Sequence, residues 1–204
     1  MSKYQTRADL QILVEMIKPN SRVLDIGCGD GELLKLLTHN KNIDARGVEL
    51  DQANVNRCVA EGLSVMQGNA DTDLVNYPDE AFDYVILSKT IQATHRPDLV
   101  IEQMLRIGKH AIVSFHNFGH WRVIKSLAFK SQMPVTKKLT YSWYETPNIH
   151  FCTIKDLANL CESLNIEVTQ KVILNQFGQK SHVSNWPTLV NLFGDQAIFL
   201  LKKK

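Results

Sequence analysis

Residues Val23–Glu32 read VLDIGCGDGE. The apolar run ending at Ile26 has the length and branching of a buried strand, and three glycines at alternate positions, Gly27, Gly29 and Gly31, follow it. In a dinucleotide-binding turn the third glycine of G-x-G-x-x-G would fall on Glu32, so the pattern here is G-x-G-x-G instead. A phosphate loop ends in Gly-Lys-Ser/Thr, and that ending is absent. Charge discriminates further. Asp25, Asp30 and Glu32 crowd the bend and no basic residue lies inside it, so a pyrophosphate is repelled and a ligand with cationic groups is favoured. Glu49 ends the next strand-like run, about 20 positions on, where an acidic side chain accepts hydrogen bonds from both ribose hydroxyls. A ribose without a diphosphate is the expectation. S-adenosylmethionine, with a sulfonium and an ammonium against one carboxylate, meets it; a nicotinamide dehydrogenase is disfavoured by the missing glycine and the acidic bend.

Working outward, apolar strands alternate with helical patterns. Leu10, Leu13, Val14 and Ile17 recur at helical spacing before Pro19. After RVLDI come GELLKLLTHN as a helix with Asp30 as N-cap, ARGVEL as a strand, and QANVNRCVAEG as a helix closed by Gly62. LSVMQG, FDYVILS and HAIVSF are further strands, with the helix PDLVIEQMLRIG before the last of them. Such alternation predicts parallel strands with crossover connections, a doubly wound α/β sheet over the first 115 residues. Beyond it, GHWRVIKSLAFK is a candidate helix, TIKDLANLCESLN a helix capped by Thr153, and IEVTQKVIL and QAIFLLKK are strands. The polar, aromatic segment between them makes a long excursion at about residues 117–152; its Tyr141, Trp143 and Tyr144 argue against disorder. No repeat or linker is visible, and the expectation is one domain over residues 1–204.

Composition excludes several classes. With 44% hydrophobic and 22% charged residues and a net charge of +2, the chain is ordinary for a globular protein and has no field for gathering nucleic acid. The single lysine run, Lys202–Lys204, is expected to be a solvated tail. MSKYQTRADL lacks the apolar region of a secretory signal, and no apolar run approaches the roughly 20 residues of a membrane span, so a cytoplasmic location and no membrane partner are expected. Cys28, Cys58, Cys152 and Cys161 include no C-x-x-C pair, so a zinc knuckle is not indicated and the thiols are expected reduced.

VLDIGCGDG, GVEL, QGNAD and FDYVILS together resemble the motifs of class I adenosylmethionine-dependent methyltransferases. The resemblance implies a Rossmann-like class I methyltransferase fold, a mostly parallel seven-stranded sheet with helices on both faces and the last strand antiparallel. It implies S-adenosylmethionine as cofactor, the glycine bend lining its methionine part, Glu49 holding the ribose and Asn69 meeting the adenine amine. The implied cofactor set is Asp25, Gly27, Cys28, Gly29, Glu49, Leu50, Asn69, Ala70 and Ser88. Asn69 stands where that family has aspartate; an amide oxygen still accepts from an amine, without charge assistance. The second half, MLRIGKHAIVSFHNFGHW and MPVTKKLTYSWYETPNIHFCTI, closely resembles the methionine biosynthesis protein MetW family, from about Arg7 to about Leu174. That likeness implies action beside a homoserine O-acyltransferase. His116 departs from it, standing where proline is expected.

Methyl transfer needs alignment and sometimes a base. Candidates belong at the carboxyl ends of the fourth and fifth strands: Ser88, Lys89, Thr90 and Gln92 after one, His116, Asn117, His120 and Trp121 after the other. The catalytic candidates are His116 and His120. Tyr141, Trp143, Tyr144, Asn148 and His150 are candidates for a lid or substrate wall, with Asn117 and Trp121. Each has a plainer reading: Ser88 and Thr90 as backbone caps, the tryptophans as core or interface anchors. His116 and His120 are four apart, but Gly119 breaks a helical register and no third ligand is evident, so no metal is expected. His39, His95, His110 and His182 carry no readable role. No asparagine-proline-proline-aromatic signature follows the fourth strand, which leaves a small-molecule acceptor over a nucleobase or glutamine amine.

Overall fold

A computed structural model describes residues 7–135, 139–181 and 187–204. The amino-terminal segment before Arg7, His182 and residues 136–138 of the excursion lie outside them. Ala8–Met16 forms α1, and the run that opened the sequence argument forms β1, Arg22–Ile26. There follow α2 (Glu32–Lys41), β2 (Asp44–Glu49), α3 (Gln52–Ala60), β3 (Ser64–Gln67), β4 (Phe82–Ser88), α4 (Pro97–Ile107) and β5 (Gly108–His116). All four pairings among β1 to β5 are parallel, as strands joined by crossovers must be. The chain then forms α5 (Trp121–Lys125), α6 (Ile154–Ser163), β6 (Ile166–Leu174), α7 (Pro187–Phe193) and β7 (Gln196–Lys203). β7 runs antiparallel to both β5 and β6, giving a seven-stranded sheet in the order β3-β2-β1-β4-β5-β7-β6.

Alternation along the strands divides the core in two. Leu24 and Ile26 of β1, with Val85 and Leu87 of β4, pack on one face with Ile101, Met104 and Leu105 of α4 and Leu157 of α6. Val23, Ile86 and Ile112 pack on the other face with Leu10 and Leu13 of α1 and Leu33 and Leu37 of α2. Asp25 shares the strand parity of Val23 and comes last on that face, at the carboxyl edge where the loops gather.

Local chemistry explains the helix ends, with one correction. Thr153 and Asp156 make a reciprocal capping box at α6 (3.2 and 2.9 Å), and Asp51 caps α3 through the Ala53 N–H at 2.8 Å. Asp30 was the expected cap of α2, but the cap is Gly31, whose φ of 76° turns the chain into the helix; Asp30 accepts from Glu32 N–H at 3.3 Å from one step outside. The candidate helix after Gly119 is a five-residue α5 that widens into a π turn, Ser126–Lys130, and stops at Ser131 in a left-handed conformation. α7 went unread: it is only seven residues long, with Pro187 at its first position as its one start signal. Within the excursion placed at about 117–152, α5 and its π turn occupy 121–130, and the described parts of 131–152 carry no helix or strand.

Candidate functional site

The bend after β1 closes on itself through backbone. The N–H groups of Gly27 and Cys28 both donate to the Val48 carbonyl, at 2.7 and 3.2 Å. Gly27 has φ +70°, and a Cβ there would stand 2.7 Å from Thr90 Oγ1, so both conformation and space demand glycine. Gly29 has φ +58° and nothing within 4 Å of where a Cβ would project, so its open side is available to a ligand. Glu49, 9% exposed at the end of β2, accepts from Gly29 N–H (2.8 Å) with one oxygen and from Asp51 N–H (2.9 Å) with the other. It therefore fixes the bend while keeping lone pairs in reserve.

A cavity of about 380 Å³ opens at the carboxyl ends of β1, β2 and β4, within the range of small-ligand pockets. Of the nine residues expected to meet the cofactor, Gly27, Glu49, Leu50, Asn69 and Ala70 line it and Asp25, Cys28, Gly29 and Ser88 do not; Lys89, Thr90, His95, Pro147 and Asn148 line it as well. Cys28 does not line it: its sulfur packs into the space left by Gly47, where a Cβ would lie 2.6 Å away. Burial, with Asp25 adding, raises the Cys28 thiol above its usual range, which removes any nucleophilic role. Ser88 is spent on Ser114, hydroxyl to hydroxyl at 3.1 Å. The Asn69 amide oxygen already accepts from Asp71 N–H at 2.9 Å, so only its second lone pair faces a ligand.

None of the three acids in the bend lines the cavity, and only Asp25 is buried beside Glu49. Asp30 is exposed, Glu32 is half-exposed with Arg7 at 3.8 Å, and neither lines the cavity. Asp25 is 2% exposed, and its Oδ1 has no hydrogen-bond partner among the described residues. Burial, with the Glu49 carboxylate adding, pushes its pKa up to about 8. The Asp25 carboxyl therefore keeps its proton at neutral pH. Because the folded pKa lies above the unfolded value of about 3.9, Asp25 binds its proton more tightly when folded. Its contribution to stability is full below about pH 4 and declines as pH rises towards 8. The melting temperature should fall by about 10 °C between pH 5 and pH 8.5, and Asp25→Asn should flatten that slope; scanning fluorimetry across pH checks it.

Beside the first cavity lies a second, of about 210 Å³, under the excursion. Its lining includes His116, Phe118, Tyr141, Trp143 and Phe151, and it shares Lys89, Pro147 and Asn148 with the first. The excursion acts as a strap: Ile149 and His150 N–H both donate to the Gln92 carbonyl (2.9 and 3.0 Å), and the Phe118 and Phe151 rings lie 4.8 Å apart. Gln92, 1% exposed, exchanges side-chain bonds with the His116 N–H (3.1 Å) and carbonyl (3.0 Å). It anchors the strap and faces no ligand.

Two other candidates are corrected in the same way. Asn117, expected near substrate, is buried in a fourfold clasp: its Nδ2 donates to the Asn191 and Gly194 carbonyls (2.6 and 2.7 Å), and its Oδ1 accepts from Gly119 and Ile154 (2.9 and 3.3 Å). His120, a candidate base, is buried and caps α5 by accepting from Arg122 N–H through Nδ1 at 3.3 Å. Burial lowers its pKa, with Arg122 adding to the effect and Asp195 opposing it. Of the two catalytic candidates only His116 lines a cavity. Trp121 starts α5 with the Arg122 guanidinium over its ring, Tyr144 stacks edge-on against Trp143 and is 71% exposed, and His150 approaches the His95 carbonyl at 3.3 Å. None of these three lines either cavity. Among the described residues, no group of three or more His, Cys, Asp or Glu converges to hold a metal.

Asp71, His95 and Asp9, which the structure places at or beside the cavity, had no readable signal in the sequence. Asp71 accepts from His95 and Arg96 N–H (2.9 and 3.3 Å), tying the loop after β3 to the one after β4, and His95 lines the cavity wall. Asp9 of α1, 5% exposed, holds Lys89 Nζ at 2.6 Å and the Arg7 guanidinium at 2.7 Å. Burial works to raise its pKa, but Arg7 and Lys89 together hold the carboxyl well below the usual carboxylate range. Lys89 itself sits at φ +60°, a left-handed conformation that costs a lysine about 1–2 kcal/mol.

Comparison with known proteins agrees with this geometry. The bifunctional methionine biosynthesis protein MetXA/MetW of Rhodopirellula baltica is 31% identical over 96% of the chain, which spans only 33% of that relative's length. Among solved structures, a SAM-dependent methyltransferase from Archaeoglobus fulgidus matches with a TM-score of 0.72 at 17% identity, covering 99% of this chain and 95% of the other. The [4+2]-cyclase SpnF matches with a TM-score of 0.67 at 16% identity, covering 100% and 84%. These two likenesses show the class I methyltransferase fold. The sequence profile described as "Methionine biosynthesis protein MetW" matches residues 7–201, and the chain belongs to that family.

Proposed function

We propose that the chain binds S-adenosylmethionine in the cavity beside Glu49 and acts with a homoserine O-acyltransferase in methionine synthesis, in the cytoplasm. The observation that carries the ligand reading is the Glu49 carboxylate, with lone pairs at the end of β2 beside the cavity, and no basic residue in the bend. A cationic nucleoside is drawn to that charge, whereas a diphosphate is repelled by it. When bound, the cofactor supplies an electrophilic methyl group; the chain's own part is to hold the ribose through Glu49 and to wall the cavity with Lys89, Thr90 and Asn148. The partner reading is supported by the relative whose name joins MetXA to MetW in one polypeptide. An exposed aromatic surface of Tyr141, Trp143 and Tyr144 is suited to a protein contact. S-adenosylmethionine is made from methionine, so a chain that binds it can report end-product level, provided the ligand favours one of two states. The test is to mix the purified chain with the acyltransferase, with and without S-adenosylmethionine, and measure complex formation and acylation rate. A change in rate supports the reading; no complex and no change refute it.

The strap cavity favours a second reading, a methyltransferase acting on a small molecule. His116 is then the candidate base. Label passing from S-adenosylmethionine into any product of a metabolite extract supports this, and absence of label after prolonged incubation counts against it. The class I fold does not choose between the two readings, since SpnF shares it and is named a cyclase.

A further inference from the structure

We infer that the helical segment Trp121–Lys130, together with the aromatic strap, is the surface that docks on the acyltransferase, and that the partner meets it with an apolar groove rimmed by carboxylates. The inference rests on the reading that this chain has such a partner. α5 and its π turn make ten continuous helical residues, of which Val123 alone is buried. A helix on a globular protein ordinarily turns its apolar stripe to the core. Here the apolar side chains face outward. Trp121, Ile124 and Leu127 follow at three-residue spacing, which sets them along one side, and all three are exposed; Phe129 is 83% exposed. Met133 and Pro134, just beyond the helix, line the strap cavity with Tyr141 and Trp143, so the helix leads straight into the strap, where Trp143 is 74% exposed. Large apolar side chains turned outward on consecutive segments mark an interaction surface.

Charge describes the partner. No aspartate or glutamate occurs from Gln103 to Tyr144, while Arg122, Lys125, Lys130, Lys137 and Lys138 fall within residues 117–144. The whole chain carries only +2, so this asymmetry is local. Among the described residues, Arg122, Lys125 and Lys130 make no ion pair; Arg122 lies over the Trp121 ring instead. Basic groups without a counter-ion, set among exposed aromatic residues, match a partner that offers apolar contacts inside an anionic rim. An anionic bilayer attracts the same residue types. The partner reading favours a protein.

Biolayer interferometry of the chain against the purified acyltransferase, at about 50 and about 300 mM NaCl, tests the surface. Two triple variants change the net charge equally: Arg122→Glu with Lys125→Glu and Lys130→Glu in the helix, and Lys202→Glu with Lys203→Glu and Lys204→Glu at the carboxyl end. A third variant, Ile124→Ser with Phe129→Ser, removes two outward apolar groups. The helix triple should weaken the complex at least thirtyfold and the apolar double at least tenfold, with the end triple within threefold of wild type. The wild-type complex should weaken at least fivefold between the two salt concentrations, as rim charges require. Melting temperatures close to wild type show that the variants fold. Carbodiimide coupling of the wild-type complex needs no variant: it joins a lysine amine to a carboxylate in contact, and mass spectrometry should find Lys125 or Lys130 linked to acidic residues of the acyltransferase. A complex that the helix triple leaves within threefold, that both triples weaken equally, or whose couplings involve only lysines elsewhere overturns the docking surface and leaves the partner reading standing. No complex at all refutes the partner reading and this proposal with it. Uptake onto vesicles of three parts phosphatidylcholine to one of phosphatidylglycerol, abolished by the helix triple and with no complex formed, makes a bilayer the occupant and equally overturns it.

Discussion

Glu49→Gln should lower affinity for S-adenosylhomocysteine about a hundredfold. The carboxylate is expected to accept from two ribose hydroxyls, and hydrogen bonds to a charged group contribute about 1.5–3 kcal/mol each. Losing the charge on both amounts to about 3 kcal/mol, or roughly two powers of ten in the dissociation constant. A second effect adds to the first. Glu49 also bridges Gly29 N–H and Asp51 N–H, at 2.8 and 2.9 Å, so it holds the bend in the conformation that a ligand meets. Glutamine presents one oxygen and one NH₂ to two donors, so one of these bonds must break. The substitution also removes the neighbouring charge that helps raise the Asp25 pKa, so the pH slope of stability should shrink in the same variant. Calorimetry with S-adenosylhomocysteine reads the first effect. Affinity within threefold of wild type would show that the ribose is not held here.

Asn117→Ala should cost about 3–4 kcal/mol of stability, a drop of about 10 °C in melting temperature for a chain of this size. The side chain closes four bonds to backbone, two as donor to the Asn191 and Gly194 carbonyls and two as acceptor from Gly119 and Ile154. Removing it orphans two N–H and two carbonyl groups at a site only 3% exposed, where water reaches them poorly. Asn117→Asp should be as damaging, since its carboxylate faces two carbonyls that need a donor. Affinity for S-adenosylhomocysteine, measured well below the melting point, should stay near wild type in both variants. A melting temperature within 2 °C of wild type would remove the clasp from the account; a large loss of binding in the folded protein would return Asn117 to the substrate wall.

The contrast between these two residues shows where sequence reasoning reached and where it stopped. The place of Glu49 beside the cavity was legible because it depends on short-range facts: a strand of known length and its carboxyl end. Asn117 was misplaced because its partners lie 74 and 77 residues away along the chain. Gln92, read as a site residue, bonds to His116 across 24 residues and turns out to be the strap's anchor. His120 could not be recognised as a cap before α5 was known to begin at Trp121. The acidic bend was half right. Three acids stood side by side in the sequence, but strand alternation buries Asp25 and the turn into α2 sends Asp30 outward.

By itself the sequence determined the alternation of strands and helices, the parallel pairing of the first half, the Thr153 cap of α6, and the glycine bend. Hydrophobic period, capping and left-handed φ are properties of a few neighbouring residues, so they survive without a fold. Only the tertiary structure decided which polar groups face a ligand and which are spent on backbone. It alone brought Asp9 of α1 against Lys89, and laid the strap beside the first cavity. Those outcomes depend on bonds between residues distant along the chain, and the burial that makes such bonds obligatory exists only once the sheet has assembled.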